Sequence, residues 1–261
     1  MNMNLISNRF KILFIISAIL FFNNSNTFAA SFDHGYKDYD LLLKNNVKDG
    51  LANYKSIKEN PESLNSYLDT LAKVDVTTFN KWSEKQRLTY LINLYNAATI
   101  KLIVDNYPVK SIKDINKERQ GPWKLEVVNL FGKKISLDHL EHEIIRKNYN
   151  DPRIHFALVC AAVGCPKLPS QSFIPSKLEE QLAERTRLFL LEKDKNYIDE
   201  NQKTVYLSSI FNWFASDFIK THGSVLGFFR EYLPAEEAKK INSDYSLKFS
   251  EYDWNLNDGS S

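Results

Sequence analysis

The longest regular pattern of apolar positions runs from Glu84 to Asn106. Leu88, Leu91, Ile92, Tyr95, Ala98, Thr99, Leu102 and Ile103 recur in steps of three and four, which predicts a helix buried over most of its circumference. Ser83, with Gln86 three residues on, has the form of a capping box. Tyr107-Pro108 closes the segment, because the residue before a proline avoids the helical region. Other periodic stretches are shorter. Phe32 to Tyr54 reads as a helix followed by an extended piece, and Ser56 to Lys73 as one surface helix carrying Leu64, Tyr67, Leu68 and Leu71. Trp123–Val128 and Lys133–Ser136 predict a hairpin around a four-residue turn, Asn129 to Gly132. Ser136 caps a predicted helix from Leu137 to about Lys147, with Asp138 and Glu141 in its first turn, where negative charge suits the dipole.

Beyond Asp151-Pro152, the run Ile154 to Val163 lacks polar alternation and is expected to be deeply buried, as helix or strand. Lys177 to Leu191 predicts an amphipathic helix and Lys203 to Leu207 a short strand. Ser209 to Ile219 is expected to bring Phe211, Trp213, Phe214 and Phe218 into the core. Val225–Leu233 and Ala235–Asn242 predict short helices, and the aromatics of Tyr252 to Asn257 are expected to dock on the domain. Nothing resembles a linker or a repeat. The expected fold is α+β: a mainly α-helical single domain with short β-hairpins.

The first residues change the picture of charge and destination. Arg9 and Lys11 precede an apolar run of 11 residues, Ile12 to Phe22, and Thr27-Phe28-Ala29 offers a small-x-small exit. That is the form of a secretory signal peptide, and the run is short for a span of about 20 residues. An uncleaved anchor is the competing expectation. The reading is residues 1–29 as leader and 30–261 as one domain, in the periplasm or secreted. Loss of the leader removes two of 34 basic residues and none of 32 acidic ones, so the formal charge falls from +2 to 0. No basic face interleaved with aromatics suggests nucleic acid, and no membrane partner is expected after cleavage. Seventeen Phe, 13 Tyr and four Trp supply a large core.

Candidate chemistry is concentrated in Asp138 to Pro166. The stretch holds His139, His142 and His155, three of the five histidines, and both cysteines, Cys160 and Cys165. Three readings stay open. In the first, a cysteine is a nucleophile, activated by a histidine that a carboxylate orients. Cys165, between Gly164 and Pro166, is expected at an accessible turn, and Cys160 within the apolar run as a buried thiol. His155 would be the base, with Glu141 or Glu143 as its orienter. In the second, His139 and His142 share a helix face and join the two cysteines in a Cys₂His₂ zinc set. In the third, Cys160 and Cys165 form a disulfide, as suits an oxidising compartment. Asn93 and Asn96 interrupt the apolar helix; they either tie it to neighbouring backbone or line a site and orient a substrate.

The stretches YLINLYNAATIKLIVDNYP (Tyr90 to Pro108), SLDHLEHEIIR (Ser136 to Arg146), DPRIHFALVCAAVGCPKL (Asp151 to Leu168) and YDWNLN (Tyr252 to Asn257) resemble the domain of unknown function 547 family. The likeness runs in order from about Phe32 to Asn257. It implies a Glu–His–Cys constellation suggestive of a cysteine-dependent hydrolase, falling on Glu141, His155 and Cys165, in a site arranged as in papain- or transglutaminase-like enzymes. His142, which follows Glu141 in the motif, is the reserve base and Cys160 the reserve thiol. Asn93 and Asn96 fall in the INLYNA motif, which favours their facing the site. His139 is not a position of the pattern, which weakens the zinc reading. The expected activity is hydrolysis of an amide or peptide-like bond, with a peptide-like or small-molecule substrate, no metal and no cofactor. The alternative is a non-catalytic exported binding domain with a Cys160–Cys165 disulfide.

Overall fold

The computed structural model describes residues 32–116 and 118–260, so the expected leader, residues 1–29, lies outside the described residues. Asp33 to Ser261 forms one compact unit, a mainly helical α+β domain.

The helix Glu84–Asn106 is its axis. Every residue from Leu88 to Ile100 is buried. Its start is the capping box expected of Ser83: the Ser83 hydroxyl accepts the Gln86 N–H at 3.3 Å, and Gln86 returns the bond at 2.9 Å. The helices Tyr54–Glu59 and Glu62–Ala72 pack against it. These two replace the single helix expected over Ser56 to Lys73. Asn60-Pro61 separates them, since the residue before a proline resists the helical region. Ahead of them, Lys37–Asn46 is helical and Val47–Lys48 pairs antiparallel with Leu51–Ala52.

The hairpin expected near Trp123 is shorter than anticipated. Val128–Leu130 pairs with Lys133–Ile135 across a two-residue turn, Phe131-Gly132, with φ of 52° and 75°. Positive φ at both positions matches the right-handed twist of the strands. Trp123 belongs to a 3₁₀ turn, Pro122–Lys124.

Beyond it, the chain builds an aromatic core. Phe156, Phe189, Phe211, Phe218, Phe228 and Phe229 are all 2% exposed or less. At roughly 1.5–3 kcal/mol each, these rings together contribute on the order of the whole stability of a domain. They support elements too short to persist alone: the helices Leu178–Leu190, Ala215–His222 and Val225–Glu231, and a three-stranded sheet. In that sheet Thr204–Ser208 is central, antiparallel to Tyr197–Asp199 and parallel to Ser246–Ser250. Trp213, expected in this core, is 47% exposed; it belongs to the wall of a cleft.

Ile154 to Val163 is buried as expected for Ile154 to Val159, but it is neither helix nor strand. A 3₁₀ turn, Pro152–Phe156, leads into irregular chain with Ala161 at φ 59°. Its backbone groups are satisfied by the C-terminal segment. Val163 N–H donates to Asn255 O at 2.8 Å, Gly164 N–H to Asp253 O at 2.8 Å, and Asn257 N–H to Ala161 O at 3.2 Å. Docking of this segment was expected; its role as the partner of the reactive loop was not. Gly164 permits the approach, because a Cβ there would lie 2.9 Å from Asp253 backbone and from the Tyr252 ring. Among the described residues no helix is long and apolar enough to cross a membrane.

Candidate active-site cleft

Glu141 and His142 are presented by a π-helix, His139–Ile145, which continues into an α-turn at Arg146–Asn148. The predicted helix is there, with the Ser136 hydroxyl accepting the His139 N–H at 3.1 Å, but it is wider than an α-helix. The Arg146 N–H reaches back five residues to Glu141 O. Such wide turns recur at functional sites. The π-helix, the loop carrying His155 and the cysteines, the Ile210–Phe214 segment and the C-terminal segment enclose a cleft of about 190 Å³. Glu141, His142, His155, Cys160 and Cys165 all line it.

The partnerships differ from those expected. His155 is held by Asp217, 62 residues on: Nε2 lies 2.8 Å from Asp217 Oδ2. Its ring stacks on Phe214, with centres 3.9 Å apart. Arg146 grips the same carboxylate in two-pronged fashion, Nε to Oδ2 at 2.8 Å and Nη2 to Oδ1 at 2.9 Å. Burial pushes the Asp217 carboxyl up, but the hydrogen bonds from His155 and Arg146 outweigh it and hold Asp217 well below the usual carboxylate range. Burial lowers the pKa of His155, against the opposing hydrogen bond to Asp217. The pair is therefore a neutral imidazole donating Nε2–H to a carboxylate, which leaves Nδ1 as the basic nitrogen.

Glu141 is not the orienter of His155. It is 9% exposed, and its Oε2 accepts the Tyr95 hydroxyl at 3.1 Å. His142 takes the Arg146 Nη1 proton at Nδ1, 3.0 Å away, because a guanidinium only donates. Its Nε2–H then faces Asp138 Oδ1 at 3.5 Å. Glu143 points outward to Lys147.

Cys160 and Cys165 are bridged, and no cysteine among the described residues is free. Their expected exposures are reversed: Cys165 is buried at 2%, and Cys160 is partly exposed. The C-terminal segment covers Cys165, which the local turn alone did not reveal. Two donors converge on the Cys165 sulfur, the Cys160 N–H at 2.9 Å and the Tyr252 hydroxyl at 3.1 Å. With both sulfurs spent on each other the Cys₂His₂ set is not formed, and no three His, Cys, Asp or Glu side chains among the described residues could hold a metal ion.

Asn93 and Asn96 do not face the cleft. Asn93 Nδ2 donates to Phe173 O at 2.9 Å and its Oδ1 accepts Phe173 N–H at 3.1 Å. Asn96 does the same for Ala157 O and Val159 N–H, both at 2.9 Å. Each amide mimics a strand partner for loop backbone, so the substrate-orienting expectation gives way to the structural one. Tyr95, between them, is the residue of this helix that reaches the cleft.

Asp217, Arg146 and the aromatic wall were not singled out in advance. Trp123, Trp213, Tyr252 and Trp254 line one side, with neighbouring ring centres 4.6–5.7 Å apart. Arg146 closes one of the recognised motifs and could have been suspected. Asp217 stands in a short helix with no spacing to His155 that a sequence would display.

Residues 79–190 match the family model described as a protein of unknown function, DUF547. No curated protein and no solved structure matches the chain. The matched stretch holds Tyr95, Glu141, His155 and both cysteines, whereas Asp217 and the C-terminal aromatics lie beyond it. Residues 79–190, which carry the buried helix and the reactive loop, are thus similar to the DUF547 family.

Proposed function

We propose that the cleft is the site of a thiol-dependent hydrolase of amide or peptide-like bonds, latent while Cys160 and Cys165 are bridged. The orientation of His155 carries this reading: Nε2 is occupied by Asp217, so Nδ1 is the nitrogen left to act as base in a cleft that both sulfurs line. Asp217 takes the orienting role first expected of Glu141. Cys165 remains the nucleophile. A reducing thiolate attacks the more exposed sulfur, Cys160, and expels Cys165 as thiolate; a second thiol frees Cys160. The Cys160 N–H and Tyr252 hydroxyl then favour the charged form of Cys165. In turnover Cys165 passes its thiol proton to His155 Nδ1 and the sulfur adds to the carbonyl carbon. The C–N bond breaks as His155 gives its Nδ1 proton to the leaving amine, and water, deprotonated by His155, cleaves the thioester. We further propose that the leader, residues 1–29, exports the protein to the periplasm or beyond, where the bridge is the resting state.

Thiol titration of the unfolded, unreduced protein tests the first step, with no thiol expected before reduction and two after. Cys160→Ser then isolates Cys165. This variant is expected to cleave fluorogenic amides without reductant, with an alkylation pKa below about 8.5. If it cleaves nothing across an amide and peptide panel and alkylates like an ordinary cysteine, the hydrolase reading fails. The second reading, a non-catalytic binding domain with a permanent bridge, would then stand. It is favoured by the 2% exposure of Cys165.

A further inference from the structure

The cleft has an acidic lining and an electron-rich wall. Its carboxylates are Asp138 and Glu141, its other titratable groups are His142, His155 and the two tyrosines, and no lysine or arginine lines it. Neighbouring cations are committed elsewhere, Lys195 among them, its Nζ donating to Cys165 O at 2.9 Å and to Glu192 Oε2 at 2.7 Å. Arg146 is chelated by Asp217 and lies over Phe214, and Lys113 Nζ sits 4.7 Å from the centre of the Trp254 ring. Lys113 shows that this wall accepts an ammonium group on a ring face.

Glu141 supplies the second, independent observation. It is nine-tenths buried and lines the cleft; Oε2 accepts the Tyr95 hydroxyl, and among the described residues no hydrogen bond reaches Oε1. A buried carboxylate costs free energy unless its lone pairs are used. An open oxygen facing a cavity is where a ligand's N–H would complete the set. Aromatic faces attract cations by their quadrupole and pack alkyl stems at the same time. A bare divalent ion would instead require several oxygen ligands, and no such group converges here among the described residues.

We propose that this cleft binds the ammonium group of an alkylamine, such as a lysine-like side chain, with N–H donated to Glu141 Oε1 and the methylene stem lying on the tryptophan wall. This names the substrate class of the proposed hydrolase. It rests on that cleft being the functional site but not on turnover.

The test uses the full chain in its disulfide form, in which no cleavage is expected, so binding and catalysis are read separately. Titration calorimetry and tryptophan fluorescence compare Nα-acetyl-lysine methylamide with Nα-acetyl-norleucine methylamide, which has the same stem without the charge. The lysine derivative is expected to bind about tenfold more tightly. Glu141→Gln, which can still accept the Tyr95 proton, is expected to lower lysine affinity several-fold and leave norleucine affinity unchanged. Equal affinity for the two probes, no saturation by either, or displacement of the lysine probe by a neutral disaccharide would overturn the proposal. The wild-type comparison decides even if the variant folds poorly. Lysine binding without any amide cleavage by Cys160→Ser would sink the hydrolase and keep the cation site; cleavage with no preference for lysine would do the reverse.

Discussion

Asn93 and Asn96 differ from Glu141 in what burial has left undone. The two asparagines are 0% and 2% exposed, and each completes a two-way exchange with loop backbone. Glu141, at 9%, lines a cavity with Oε2 bound and no hydrogen bond to Oε1 among the described residues. All three lie in the stretch that matches the family model; from sequence the asparagines looked like polar residues in an apolar neighbourhood, and Glu141 like a first-turn acid able to orient His155. The difference lies in the remaining hydrogen-bonding capacity. A polar group whose capacity is exhausted by the fold holds the fold together. One with capacity left over, facing space, is available to a ligand.

Removing a member of the satisfied set is the strongest way to break that comparison. Asn96→Ala would orphan the Ala157 carbonyl and the Val159 N–H, both buried, at roughly 1–3 kcal/mol each. A total loss of about 2–6 kcal/mol is expected in urea unfolding, with the free energy extrapolated to water. A full-strength fold combined with weakened ligand binding would restore the substrate-orienting role to Asn96.

The same distinction explains what the sequence made legible. Periodicity and capping residues report on one element at a time, so the helix Glu84–Asn106 and its Ser83–Gln86 box could be read with their boundaries. Leu178–Leu190 and Thr204–Ser208 followed for the same reason. Relations between distant segments leave no local trace. Asp217 bonds His155 across 62 residues, and Tyr252 reaches Cys165 across 87. Without that long-range cover, Cys165 looked like an open turn. The loop Ile154 to Val163 misled for a related reason: its apolar residues promised regular structure, but its backbone groups are paired by the C-terminal segment and Asn96. The π-helix was also hidden, because the residues of HLEHEII suit an α-helix equally well.

A smaller effect is expected from the coupled pair in the cleft. Below about pH 6.5 the unfolded chain's imidazole takes up a proton. Folded His155, its pKa lowered by burial, does not. Stability is therefore present above pH 6.5 and is lost as pH falls from there toward the folded value. Asp217 has its folded pKa depressed, so its contribution persists further into acid. That contribution is lost only as pH drops below about 4 and through the folded value. Asp217→Asn should abolish the second loss and cost about 1–2 kcal/mol at neutral pH, less than a fully buried pair because Asp217 is 27% exposed. Burial also lowers His34, so the first loss is assigned by residue-resolved imidazole chemical shifts. A His155 shift that titrates at or above 6.5 would contradict the neutral imidazole on which the base assignment depends.

The smallest effect is predicted at the residue that matters most for ligand binding. In Glu141→Gln the amide oxygen still accepts the Tyr95 hydroxyl, and no ion pair to Glu141 is broken, so unfolding free energy should change by no more than about 0.5 kcal/mol. Asn96→Ala and Glu141→Gln then form a crossed pair: the first costs stability and spares the cleft, and the second spares stability and alters the cleft. Parallel urea unfolding of the two variants checks this directly. If Glu141→Gln lost as much stability as Asn96→Ala, the Oε1 oxygen would be contributing to the fold, and the open carboxylate would belong with the asparagines. If Glu141→Gln instead gained stability, the buried charge would be a cost the folded protein carries, as expected where a carboxylate is kept for an absent cationic partner.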